Sequence, residues 1–417
     1  MKKSTILMAL CAATLGASAT DMTEPMTLSD VSYRQDRHTQ KVHVSYSLAN
    51  QGEPAYVVMD VLTNGVSIGM ENIKTFADAS TVSQLDGAPV VEGTHEIVWN
   101  ARKDWKGNLS TNAVVQLYAF YTNRFNIYMV IDLSAGPSAA HYPVTYTMDE
   151  PDPINDYSCI SNKLWLKRVN AGEYTMGNST ESANPPHHVT LTRSFFAGVF
   201  PVTVAQYALV MNANKEFASI YDTSTPLLTP ANVSWVDARG TAGIMTWPSS
   251  DEVSSDSFMG LLRTKTGISG FDLPTEAQWE YACRAGTVTD WNNGTACTAA
   301  NDGSATDPEL AKLGWYNQNN AGGIHRVGQK QPNDWGLYDF HGSCWEWCLD
   351  AVKTSLGTSA VTDPEIGYAS ANDPAQRIQR GGAYVSRAYF CRATSRNNDT
   401  PESRGYAGFR VWCNIGD

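Results

Sequence analysis

Every cysteine beyond the first twenty residues lies after residue 155: Cys159, Cys283, Cys297, Cys344, Cys348, Cys391 and Cys413. Ten of the twelve tryptophans lie beyond residue 160. The chain before that boundary has a different pattern. In "VHVSYSL" the residues Val42, Val44, Tyr46 and Leu48 fall on one face of a strand, and "AYVVMDVL", "HEIVWN" and "VVQLYAFY" follow with Gly, Asn and Asp between them. Period-two alternation with turn residues every ten or so positions predicts a small all-β sandwich, immunoglobulin-like, over residues 20–132. "WNARKDWKGN", with Trp99 and Trp105, is expected to be a strand end and a turn. No catalytic type of cluster occurs there, so a spacer or docking role is the expectation. Residues 133–158 are rich in Pro, Ser, Asp and Gly, the composition of a linker. A second domain, residues 159–417, then carries the cysteines and aromatics.

The first residues, "MKKSTILMALCAATLGASAT", combine Lys2 and Lys3, an apolar run from Ile6 to Leu15 and the small-residue site Ala17-Ser18-Ala19. This predicts an export signal over residues 1–19 and a periplasmic or secreted protein. No other segment has the uninterrupted apolar stretch a membrane helix needs. Exported chains usually pair their cysteines, and seven leaves one over. The net charge of −12 argues against general nucleic-acid binding, because phosphate contacts need clustered Lys and Arg.

"LPTEAQWEYACRAGT" announces a helix: Thr275 caps it, Gln278 returns the hydrogen bond, Ala277, Trp279, Ala282 and Cys283 form the buried face, and Gly286 stops it. A second helix is expected around "VTVAQYALVMN", with Val204, Tyr207, Ala208 and Met211 inward. Adjacent His187 and His188 would point to opposite faces of a strand, as solvated side chains rather than co-ligands. Cys344 and Cys348 would share a helix face or close a small disulfide, and with His341 nearby they are still too few for zinc. There is no His-Glu-x-x-His, Gly-x-Ser-x-Gly or Gly-rich phosphate loop.

Six runs in register carry a resemblance: "NAGEYTMG", "HHVTLTRSFFAGVFPVTVAQYALVM", "NVSWVDA", "LPTEAQWEYACRAGT", "DWGLYDFHGSCWEWCLD" and "RGGAYVSRAYFCRATSRNNDTPESRGYAGFRV". In these runs the chain from about 160 to 417 resembles the formylglycine-generating enzyme, or sulfatase-modifying factor, domain. The resemblance implies an α+β, C-type-lectin-like domain with little regular structure. It also implies an activity: oxidation of a sulfatase cysteine to formylglycine with oxygen and copper(I) held by two thiolates, soft ligands for a soft metal.

Active members of that family read Arg-Gly-Gly-Ser-Tyr-x-Cys-His-x-x-Tyr-Cys. Here the gapless alignment runs from Arg380 to Cys391, with Ser386 at the first cysteine and Arg387 at the histidine. A serine hydroxyl cannot replace a thiolate on copper(I). Cys391 would be the second ligand. The stretch from Cys391 to "DTP" is three residues shorter than in active members, so Cys391 also aligns with a structural cysteine. The resemblance then implies disulfides from Cys283 to Cys413 and from Cys297 to Cys391. It further matches Glu346 to a glutamate that helps hold calcium, although Ser343 stands where an Asn is usual.

Six arginines fall in this last region: Arg380, Arg387, Arg392, Arg396, Arg404 and Arg410. With Tyr389 and Asn397 they would form a polar surface for an anionic glycan or an extended peptide, or else tie irregular loops together. Three functional expectations result. The leading one is a binding protein whose oxidase centre is lost. The second is an active sulfatase-maturing oxidase that uses Cys391 with Cys344 or Cys348. The third is a display protein with a diversified C-terminal surface.

Overall fold

The computed structural model describes residues 27–36, 38–49, 55–63, 66–83, 89–105, 113–120, 128–147, 149–218, 224–241, 252–298, 306–365 and 376–414. The expected export signal lies outside them. The chain forms two units, residues 1–125 and 126–417.

In the first unit the strands Thr27–Gln35, Val42–Ala49 and Gly93–Trp99 make one antiparallel sheet, and Val66–Ser67, Tyr56–Thr63 and Ala113–Phe120 make another. Alternation sets the inward face: Val42, Val44, Tyr46 and Leu48 are buried and the residues between them are not. They share one core with Val57, Met59, Ile97 and Leu117 from both sheets. The turn expected after Trp99 is a short helix, Ala101–Asp104, because Asn100 accepts the Lys103 amide and so caps it. Trp99 Nε1 donates to Asp104 Oδ2 at 2.8 Å, which fixes the strand to the helix.

The second unit begins earlier than the sequence suggested. Tyr128–Asp132 pairs with Lys163–Val169, and Val144–Thr147 pairs with Tyr128–Asp132. The segment 133–158 is therefore part of the fold and not a linker. Its turn-forming residues close local turns: Asp132 accepts the Ser134 amide, Asp152 those of Ile154 and Asn155, and Asp156 that of Ser158. These strands extend a six-stranded sheet whose other members are Phe195–Gly198, Trp412–Asn414 and Phe271–Asp272.

The helix Glu276–Arg284 has the expected capping box, Thr275 with Gln278, and buries Ala277, Trp279, Ala282 and Cys283. Its end differs slightly, since Ala285 takes the left-handed conformation ahead of Gly286. The helix Val204–Met211 buries Val204, Gln206, Tyr207 and Val210, whereas Ala208 and Met211 are only partly covered. Gln206 is inward because it completes a capping box with Thr203 and donates to Lys163 O at 2.7 Å. The "WEWC" run is neither helix nor loop. Trp345–Ala351 is a fully buried strand in a four-stranded sheet with Arg377–Arg380, Arg396–Asp399 and Ala407–Gly408. That sheet and the Glu276–Arg284 helix place the residues of interest.

Candidate functional site

The loop after the Arg377–Arg380 strand turns sharply at Gly381 and Gly382, both at positive φ. At Gly382 (φ 80°) a β-carbon would lie 2.6 Å from Cys391 Sγ, so only glycine lets these two stretches approach. Cys391 is fully buried against Trp291, Leu310, Leu313, Tyr316 and Ala388, with Cys297 packed on the cluster. Burial pushes its thiol well above the ordinary range, and Cys297 nearby adds to the effect. Ser386 is half-buried, and its hydroxyl oxygen accepts the Ala383 amide at 3.0 Å, closing a turn within the loop.

These donors do not suit copper(I). One is a hydroxyl committed to a backbone amide, and the other is a thiol in an apolar cluster that disfavours the thiolate. Cys344 and Cys348 offer no replacement: both are buried thiols, in separate clusters, and burial raises each. Neither of the implied disulfides is formed, since Cys283 and Cys391 are both thiols. Cys283 Sγ lies 3.9 Å from His341 Nε2.

Glu346 does not suit calcium. Arg410 Nε and Trp279 Nε1 each donate to Oε2 at 2.7 Å, and Arg410 Nη2 donates to Oε1 at 2.5 Å. A guanidinium already stands where a cation would bind. Among the described residues no group of three His, Cys, Asp or Glu side chains is arranged for a metal.

The expected arginine surface is largely internal. Arg380 is fully buried and donates to Glu276 and Glu280, and Arg396 clasps Glu276 through Nε and Nη2. Arg410 and Arg392 are buried too. Asn397 donates to Gln379 Oε1 at 2.8 Å across the sheet. Tyr389 lies under the Arg392 guanidinium, 3.6 Å from its carbon. Of the expected binding set, Arg387 and Arg404 are exposed, and Arg404 Nε donates to Asp237 Oδ2 at 3.0 Å. The histidine pair does face opposite ways, but His187 is buried and His188 sits 3.3 Å from Glu173.

The outward surface here consists of other residues. Val385, Phe390 and Tyr406 are exposed large apolar side chains, and Tyr384 packs against both Tyr406 and Phe217. Asn320 Nδ2 donates to Tyr384 O at 2.6 Å, and the Asn317 amide donates to Ser386 O at 2.9 Å. These loops are thus stitched into one face with aromatic side chains and amides. No sequence periodicity marks it, because its members come from four separate loops.

The family described as sulfatase-modifying factor enzyme 1-like domain matches residues 166–415, more than half of the chain. The chain belongs to this family. Formylglycine-generating enzyme of Bos taurus is 30% identical over 149 residues, 34% of this chain and 38% of that protein. The Streptomyces coelicolor formylglycine-generating enzyme is 32% identical over 154 residues, 34% of this chain and 46% of its own. Inactive C-alpha-formylglycine-generating enzyme 2 of Bos taurus is 29% identical over 153 residues, 34% of this chain and 43% of its own. The chain thus matches less than half the length of each of these relatives. A solved structure, Treponema denticola variable protein 1, is similar at 26% identity and a TM-score of 0.48, over 60% of this chain and 95% of that one. Ser386 and the buried Cys391 occupy the positions at which the resemblance implies a cysteine pair.

Proposed function

We propose that this sulfatase-modifying factor family member is an exported binding protein that has lost the oxidase centre, with a C-type-lectin-like second unit preceded by a β-sandwich spacer. The observation that carries the proposal is the pair Ser386 and Cys391: the hydroxyl is turned onto the Ala383 amide, and the thiol is buried under Gly382. Among the described residues these two positions do not bring two thiolates together, which supports the loss of a copper(I) ligand set. What remains is a scaffold presenting Val385, Phe390 and Tyr406, with Tyr384 buried against Tyr406 and Phe217. Exposed aromatic side chains suit a sugar ring or an extended peptide. A relative named as inactive, alongside the formylglycine-generating enzymes, is consistent with this.

The test is mass spectrometry of a cysteine-containing sulfatase-type peptide after aerobic incubation with the copper-treated protein and its Cys391→Ser variant. No conversion by either supports the binding role. Formylglycine that depends on Cys391 would establish the alternative, a sulfatase-maturing oxidase, and overturn this reading. A glycan array then seeks the ligand, with Tyr406→Ala expected to weaken capture while leaving the fold intact.

A further inference from the structure

Arg326 is 8% exposed, and its guanidinium has no acceptor among the described residues: Nε is fully enclosed without a hydrogen bond, and neither Nη nitrogen makes one. It lies over the Tyr157 ring, with the guanidinium carbon 4.4 Å from the ring centroid. A covered cation without a carboxylate is costly, and a ring face offsets only part of that cost.

Three segments of the second unit meet here. At Gly328 (φ 71°) a β-carbon would lie 2.8 Å from Pro153 Cβ, so glycine lets the turn that carries Pro153 close on the segment that follows Arg326. The Val327 amide donates to Leu228 O at 3.1 Å, which draws in the helical turn Pro226–Leu228. That turn also packs against the short helix Ser158–Ser161, which follows Tyr157 directly. Ile154, Tyr157 and Leu227 are exposed large apolar side chains on these segments. An apolar rim thus stands next to an unpaired guanidinium.

The carboxyl groups carried by these segments and their partners are engaged elsewhere. Asp152 accepts the Ile154 and Asn155 amides, Asp156 the Ser158 amide and hydroxyl, and Asp339 the Gly328 amide. None of them pairs with Arg326. Asp152 and Asp156 would nevertheless repel a doubly charged ligand more strongly than a singly charged one. A carboxylate carries one charge and meets a guanidinium through two parallel hydrogen bonds.

We propose that this site binds a carboxylate carried on an apolar or aromatic body. The Nη end of Arg326 donates to the anion, and Tyr157 and Leu227 cover the body. Such a group is found on a free arylalkanoic acid and at the C-terminus of a peptide that ends in an apolar residue. The inference uses no residue of the Ser386 loop, so it does not depend on the fate of the oxidase centre.

Calorimetric titration of the full chain with 3-phenylpropanoate and, separately, with acetyl-Gly-Phe tests it, with the corresponding amides and phenyl phosphate as controls. Arg326→Gln is expected to weaken carboxylate binding at least about tenfold, and Arg326→Lys to restore part of it, because the fork is lost and then replaced by a point charge. Leu227→Asp changes an exposed position and so spares the fold; it is expected to weaken binding about fivefold through lost apolar cover and added repulsion. Binding of either probe with these losses supports the proposal, and binding of one alone identifies a free acid or a peptide end as the source. No binding of either probe at millimolar concentration overturns it. Amides that bind as well as the acids, phenyl phosphate that binds more tightly, or an affinity unchanged in Leu227→Asp with near-ultraviolet dichroism intact also overturn it.

Discussion

His341 donates its Nδ1 proton to the carbonyl oxygen of Cys391 at 2.8 Å, and its Nε2 accepts the Asn292 amide at 3.1 Å. The ring is buried, with Trp291 packed across it at 5.3 Å between centroids. One neutral tautomer thus joins the buried thiol's backbone to the loop opposite. Burial holds this imidazole at about 4, below its ordinary 6.5. Between those values the unfolded chain binds a proton that the folded chain refuses, so the stability due to His341 is complete above about 6.5 and falls as the pH drops toward 4. His341→Gln is expected to flatten that acid-side loss and to cost about 2–4 kcal/mol at pH 7. Urea unfolding at several pH values measures both.

Asp339 acts in the opposite sense. Burial raises its carboxyl to about 6 from 3.8, and Oδ1 has no hydrogen-bond partner among the described residues. The folded chain keeps a proton that the unfolded chain releases, so this group lowers stability as pH rises from about 4 to about 6. Asp339→Asn keeps an acceptor for the Gly328 amide and suits the left-handed backbone at φ 59°. It is expected to stabilise by about 1–3 kcal/mol at pH 7 and by little at pH 4, as read from unfolding midpoints.

Arg410 and Glu346 form a buried pair, with the guanidinium also donating to Gly198 O and Tyr338 O. Removing one partner strands the other charge, so Arg410→Met is expected to cost about 3–5 kcal/mol. Because the carboxylate is occupied in this way, chelation of calcium with EDTA is expected to leave the melting temperature unchanged. A chelator-dependent drop, restored by added calcium, would show that Glu346 binds the ion in solution.

Two glycines separate backbone strain from crowding. Gly286 (φ 95°) has open space where a β-carbon would go, whereas Gly382 (φ 80°) has Cys391 Sγ 2.6 Å away and Cys391 Cα 3.0 Å away. Gly286→Ala is expected to cost about 1 kcal/mol from conformation alone. Gly382→Ala should cost at least about 2 kcal/mol more, since backbone must move. Equal losses in chemical denaturation would mean that the approach of Gly382 to Cys391 is loose.

Local signals in the sequence carried through where neighbours along the chain decide the outcome. The Thr275–Gln278 capping box and the alternation from Val42 to Leu48 are of this kind. The signals misled where partners are distant. Gln206 looks like an outward polar residue until Lys163 O appears beside it. Arg380 could line a surface or tie loops together, and only Glu276 and Glu280, about a hundred positions away, decide for the second by taking its guanidinium inside. His187 goes inward for a similar reason, its ring held by Pro185 O. The aromatic face around Tyr384 and Tyr406 had no signal, since hydrophobic residues in loops form no period.

The strands Tyr128–Asp132 and Val144–Thr147 decide where this chain can be cut. The family match starts at residue 166, inside the strand Lys163–Val169. A fragment trimmed to residue 159 would strip that strand of its partner from Tyr128 to Asp132 and leave a row of unsatisfied amides and carbonyls as a sheet edge. Such an edge is a template for pairing with a second chain, so the trimmed fragment should aggregate. A fragment that starts at residue 126 keeps the edge covered.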